Sequence, residues 1–154
     1  MPTAEDPQAG LKQSFPTALV DRVVQDGEQV RLGNSVLIAL ATPGHTPGAL
    51  TWHWGSCQGG VCRQIVYADS LTPVSDKTYR FSDHPAYLAA YRASIAKVAA
   101  LPCDILITPH PSASDMVNRF ALGKQLDDSS ACKDYAAKLT QQLDERLAKE
   151  AVPK

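Results

Sequence analysis

The octapeptide Ala41-Thr42-Pro43-Gly44-His45-Thr46-Pro47-Gly48 constrains this chain more than any other stretch. It is a turn-forming segment between two strand-like apolar runs, and two prolines and two glycines bracket its one histidine. Proline fixes φ, and glycine accepts backbone conformations that other residues resist. The backbone is therefore held in a definite bend, and the imidazole of His45 is presented at a strand end. Ile105-Leu106-Ile107-Thr108-Pro109-His110-Pro111 repeats the device, with a strand-like run ending in Pro, His and Pro. Two histidines at the ends of two strands point to convergence on one site.

The flanking sequence supplies the layers. Residues 1–19 show no sustained period and read as an extended lead-in; residues 20–154 read as one domain, a size at which a real core can be buried. A short strand is expected over 20–24. Gln29-Val30-Arg31-Leu32 alternates as a half-buried strand should, Gly33-Asn34 turns the chain, and Ser35–Ala41 is a continuous apolar run expected to be central in a sheet. Residues 49–54 form another strand with Trp52 and Trp54 on one face and His53 on the other. A strand over 63–68 returns and ends at Asp69-Ser70, before a polar loop over 70–83.

Pro85 suits a first helical position, with Ser82, Asp83 or His84 as candidate caps. Leu88, Tyr91, Ile95 and Val98 then repeat at helical spacing up to Pro102. A short buried strand follows over 104–108, then a short helix within 112–122, stopped by Gly123. A long C-terminal helix carries Cys132, Ala136, Leu139, Leu143 and Leu147 on one stripe, with Glu145 and Lys149 as an i,i+4 pair. The order implies an α/β fold: a mostly antiparallel sheet covered by two main helices. Helices so placed pack only one sheet face, so the Trp52/Trp54 face or its reverse is left apolar and uncovered.

Charge excludes some function classes. Fifteen basic and sixteen acidic residues give a formal net charge of −1, which offers no electrostatic footprint for nucleic acid or an anionic membrane. No apolar run approaches the ~20 residues of a membrane span. The first residues hold no basic segment followed by an apolar one, so as they stand they are not a signal peptide. The four cysteines, Cys57, Cys62, Cys103 and Cys132, suit either two disulfides or four reduced, buried thiols, and no Cys-x-x-Cys pair favours a metal. Cys57 and Cys62 flank Gln58-Gly59-Gly60-Val61, a natural hairpin tip.

For chemistry, His45 alone fits either a metal ligand or a histidine bonded across its own turn. His110, in a loop of the same construction, shifts the balance toward ligation, and Asp69-Ser70 at a third strand end shifts it further. Polar loops at the carboxyl ends of neighbouring strands build sites in many layered folds. The other candidates have blander readings: His53 faces solvent or a partner layer, His84 starts a helix, Asp104 pairs locally, and the tryptophans belong to the core. Ser70 lacks a Gly-x-Ser-x-Gly setting, so a nucleophile elbow is unsupported.

Taken together, Thr42-Pro-Gly-His-Thr-Pro-Gly48, Tyr67-Ala-Asp-Ser-Leu71 and Cys103-Asp-Ile-Leu-Ile-Thr-Pro-His-Pro-Ser112 resemble the class B, subclass three metallo-β-lactamases over about residues 20 to 150. A Gly-His-Thr-Pro-Gly loop marks the broader superfold, and the other two segments narrow it. The resemblance implies half of an αβ/βα sandwich whose complete form holds two zinc ions between its sheets. It implies that His45 is the third histidine of one zinc and His110 the second histidine of the other. It implies that Ser70 and Thr72 help seat the substrate carboxylate. It also implies a Cys103–Cys132 disulfide typical of the subclass and a Cys57–Cys62 pair found in some members.

The family's His-x-His-x-Asp-His motif is absent, so the chain reads as a C-terminal half contributing two of six expected protein ligands. The function implied is that of a fragment of a zinc-dependent β-lactamase, which hydrolyses the β-lactam amide by a zinc-bound hydroxide. The fragment is expected to be inactive alone, and the full-length protein periplasmic or secreted. The implied partners are a β-lactam antibiotic and either an N-terminal half or a second copy. Two alternatives stand beside this reading: another hydrolase of the same superfold, such as a thioesterase or glyoxalase-type enzyme, and a non-catalytic half-domain that pairs with a missing N-terminal half.

Overall fold

A computed structural model describes residues 6–11, 19–123 and 126–152. The remainder of the expected lead-in, residues 1–5 and 12–18, lies outside the described residues. The sheet has five strands in the order β1-β2-β3-β4-β5. These are β1 (Gln29–Leu32), β2 (Ser35–Ala41), β3 (Leu50–Gln58), β4 (Val61–Tyr67) and β5 (Ile105–Ile107). Each of the first four pairs antiparallel with the next, whereas β5 runs parallel to β4, with Val66 opposite Leu106. The parallel pairing requires a crossover, and α1 (Pro85–Ala99) supplies it. A six-residue α2 (Met116–Ala121) and a long α3 (Ala131–Glu150) follow.

The sequence patterns are realised where side chains find partners. Pro85 opens α1 behind His84, and Gly123 ends α2 with φ +62°, a conformation that favours glycine. Gly59 and Gly60, both at positive φ, make a two-residue hairpin turn of the kind that matches strand twist. The turn sets Cys57 opposite Cys62, and the two are disulfide-bonded. Tyr91, Ile95 and Val98 of α1 pack with Cys132, Tyr135, Leu139 and Leu143 of α3 over Val66 and Leu106 of the sheet. A second disulfide, Cys103–Cys132, ties the residue pair before β5 to the first turn of α3.

Three local readings differ from the structure. Residues 20–24 form no strand: Val20 and Val23 are largely exposed, and β1 is paired on its β2 side only. The tryptophans are half-buried and outside the core. With Val30, Leu37, Tyr67 and Ile107 they line an open apolar groove of about 350 Å³ on the sheet face opposite the helices. The i,i+4 ion pair that forms on α3 is Arg146–Glu150, at 2.8 Å, because the Glu150 carboxylate is drawn inward by the Phe81 and Ser82 amides. Glu145 instead accepts a hydrogen bond from Gln141.

Candidate metal and substrate edge

Strand direction brings the three expected loops to one edge. β2 and β4 are each antiparallel to β3 and so run the same way, and β5 is parallel to β4. The carboxyl ends of β2, β4 and β5 therefore share an edge. From them emerge the His45 loop, the Asp69–Ser70–Thr72 segment and the His110 loop.

The His45 ring is held by the second loop. Its Nδ1 lies 2.8 Å from the Thr72 carbonyl oxygen and 3.2 Å from Thr72 Oγ1. A carbonyl only accepts, so Nδ1 carries the proton and Nε2 keeps its lone pair. Histidine ligands to metals are oriented in this way, with the second nitrogen donating to a carbonyl or carboxylate. Thr72 Oγ1 is also 3.1 Å from Ser70 Oγ. Asp69 caps its own neighbour, its Oδ1 accepting from the Ser70 amide at 2.7 Å.

Helix α1 fixes the loop from behind. Tyr87 donates to the Gly44 carbonyl at 3.1 Å, Ser94 to the Pro43 carbonyl at 2.7 Å, and Lys97 to the Ala41 carbonyl at 2.9 Å. Tyr91, between them, donates to the Leu71 carbonyl at 2.5 Å. Positions 87, 91 and 94 fall on one helical face, so one stripe of α1 holds both the His45 loop and the Ser70 loop. Burial pushes the Tyr91 phenol far above its ordinary range. Burial likewise pushes Tyr135 up to about 12, against the lowering effect of a backbone hydrogen bond from Leu71. Both phenols are neutral donors or acceptors at physiological pH. On the outer side, the Gln8 side-chain amide donates to the His45 carbonyl at 3.1 Å.

The His110 loop is braced through its backbone. Thr108 Oγ1 and the Ala113 amide each donate to the His110 carbonyl at 2.8 Å, which leaves the imidazole exposed at the edge. Ser70, Thr72 and His110 line one cavity of about 280 Å³ together with Tyr135 and Lys138. Among the described residues no group of three or more His, Cys, Asp or Glu side chains is placed to hold a metal ion. The donors fit a metal in kind, since His45 has the ligand tautomer, but they fall short of the about three protein ligands of a catalytic zinc.

The other sequence candidates lie elsewhere. His53 is half-buried on the helix side of the sheet with Nε2 2.8 Å from Gln64 Oε1. His84 stacks on Tyr79 at the start of α1. Asp104 accepts from the Gln64 amide at 2.8 Å. The braces Tyr87, Ser94 and Gln8 are not apparent in the sequence, because only the fold brings residue 8 and residue 94 to opposite sides of one loop. The single sequence cue is that Tyr87 and Ser94 share the stripe that contains Tyr91.

The described residues thus form a one-sided α/β layer with histidine- and serine-bearing loops gathered at one sheet edge. No protein-family model matches the chain, but solved structures do. The chain is similar to the metallo-β-lactamase MIM-1 from Novosphingobium pentaromativorans, with 45% identity and a TM-score of 0.91 over 97% of this chain and 55% of that one. It is similar to the metallo-β-lactamase MIM-2, with 53% identity and a TM-score of 0.88 over 96% and 53%. It is also similar to MEM-A1, a subclass B3 metallo-β-lactamase from a soil metagenome library, with 41% identity and a TM-score of 0.88 over 98% and 60%. The chain belongs to the subclass B3 metallo-β-lactamase family, and it spans between 53% and 60% of the length of these three relatives.

Proposed function

We propose that this chain is one part of a zinc-dependent β-lactamase, contributing His45 and His110 to a two-zinc site that other residues complete. The observation that carries the reading is the engagement of His45 Nδ1 by the Thr72 carbonyl, which leaves Nε2 as a free donor at the edge where His110 stands. Zinc held there would supply Lewis acidity and an activated water for attack on the lactam amide. The residues of this chain do the positioning: the stripe of α1 fixes the His45 loop, and the Ser70 and Thr72 hydroxyls seat the substrate carboxylate.

Two histidine donors, assigned to different ions, leave each zinc short of its ligand set, so the chain is inactive alone. The open tryptophan face is where the completing layer packs, since an exposed apolar patch of this kind marks an interaction surface. The two disulfides support maturation in an oxidising compartment, periplasmic or extracellular.

Nitrocefin turnover separates the outcomes. The 154-residue chain with added zinc should show none, whereas the chain joined to the N-terminal part of MIM-2 should turn over and lose most of that turnover on His45→Ala, which removes a ligand. Turnover by the chain alone would refute its incompleteness. A soluble, zinc-loaded fusion without β-lactam turnover would refute the β-lactamase reading.

A further inference from the structure

The cavity at the shared edge has an electrostatic character that its one histidine, His110, does not explain. Its wall includes the Ser70 and Thr72 hydroxyls, Ser112, His110 and the Lys138 side chain of α3, and no carboxylate. That is selective in a chain with sixteen acidic residues. The adjoining cavity, which shares Lys138 and Ser112, does hold Asp115, Asp128 and Asp134, but those groups are engaged. Asp134 accepts from Ser130 Oγ at 2.6 Å, Asp128 pairs with Arg119 and caps Ser130, and Asp115 accepts from Asn118. Among the described residues Lys138 makes no ion pair, although it is one helical turn from buried Tyr135, which faces Leu71.

We propose that Lys138 is a specificity-determining residue, its ammonium supplying the positive charge that holds a substrate carboxylate against the Ser70 and Thr72 hydroxyls. This rests on the β-lactamase reading above. Two hydroxyls 3.1 Å apart can donate to a carboxylate but cannot balance its charge. Charge-assisted hydrogen bonds are roughly twice as strong as neutral ones, and a lysine ammonium reaches an anion as a flexible point charge. A cavity of about 280 Å³ admits the carboxylate end of a bicyclic ligand rather than the whole of one. Ligands that carry an anion beside the scissile ring are thereby preferred over neutral ones.

The test is an NMR titration of the ¹⁵N-labelled chain, with a chelator present so that the probe stays intact. The probes are benzylpenicillin, its uncharged methyl ester and acetate. Benzylpenicillin should shift the Ser70, Thr72 and Lys138 amides with a millimolar dissociation constant, and the ester should not. Lys138→Ala should weaken benzylpenicillin binding about threefold, within the range of an exposed ion pair, and Lys138→Arg should restore it. Lys138 is exposed, so neither variant threatens the fold. Equal binding by Lys138→Ala, equal binding of the ester, or no shift with any probe would overturn the proposal. Lys138-dependent shifts with acetate but none with benzylpenicillin would keep the anion site and remove the β-lactam reading instead.

Discussion

A Cβ built on Gly44 would lie 2.4 Å from the Tyr91 ring, so the residue before His45 has room for hydrogen only. The constraint is close approach rather than backbone angle, and it places the ring that also holds the Leu71 carbonyl. Gly44→Ala should therefore destabilise the protein by about 1–3 kcal/mol in urea unfolding, as overpacking of a filled site does. Gly48→Ala, where a Cβ meets nothing within 4 Å, should stay within about 0.5 kcal/mol.

Asp76 shows the same economy on the outer side of the loop. Its carboxylate accepts from Thr78 Oγ1 and from the Thr78, Tyr79 and Gly10 amides. The Thr78 hydroxyl and these amides hold its pKa down to about 2. A depressed carboxylate stabilises the fold above its unfolded value of 3.8, and that contribution is lost as pH falls toward 2. The Tyr79 amide resonance should accordingly titrate with a midpoint near 2. A midpoint near 4 would mean that the carboxylate is free.

At the scale of elements, the two disulfides secure unequal spans. Cys103 and Cys132 are 29 residues apart and join the segment entering β5 to the first turn of α3. Cys57 and Cys62 are five apart and close a hairpin that its two glycines already turn. The chain-entropy model gives roughly 3–4 kcal/mol for the first and about 2 kcal/mol for the second. Replacing both cysteines of each pair by alanine should reproduce that order in urea midpoints. The opposite order would show that the hairpin, not the β5–α3 link, limits stability.

Most elements were legible at this scale, because β1, β2 and the stripes of α1 and α3 obey periods that burial enforces. The strand expected over 20–24 was not, since its apolar residues lack a partner strand. An uncovered apolar face was expected, but that it is the Trp52/Trp54 face was not, because alternation identifies a face without saying what covers it.

For the whole molecule, strand direction converts three separated sequence segments into one edge. The histidines at positions 45 and 110 and the serine at 70 could be picked out as candidates because proline, glycine and strand ends mark their loops. Their bracing could not, because Tyr87 and Ser94 reach the His45 loop only through the crossover and the packing of α1, and Gln8 only through the path of the N-terminal segment. The cavity's lack of carboxylates is likewise a product of the fold, since Asp134 and Lys138 are neighbours on α3 and only the lysine lines the cavity that Ser70 and Thr72 also line.

With His45 and His110 serving different ions, the proposed reading gives this chain part of a two-zinc site and not the whole of it. Equilibrium dialysis of the purified chain against zinc at neutral pH distinguishes the two. It should retain at most one zinc per chain, weakly enough for a mild chelator to remove it, and less still in His45→Ala and in His110→Ala. Two zinc ions held per chain against the chelator would contradict it.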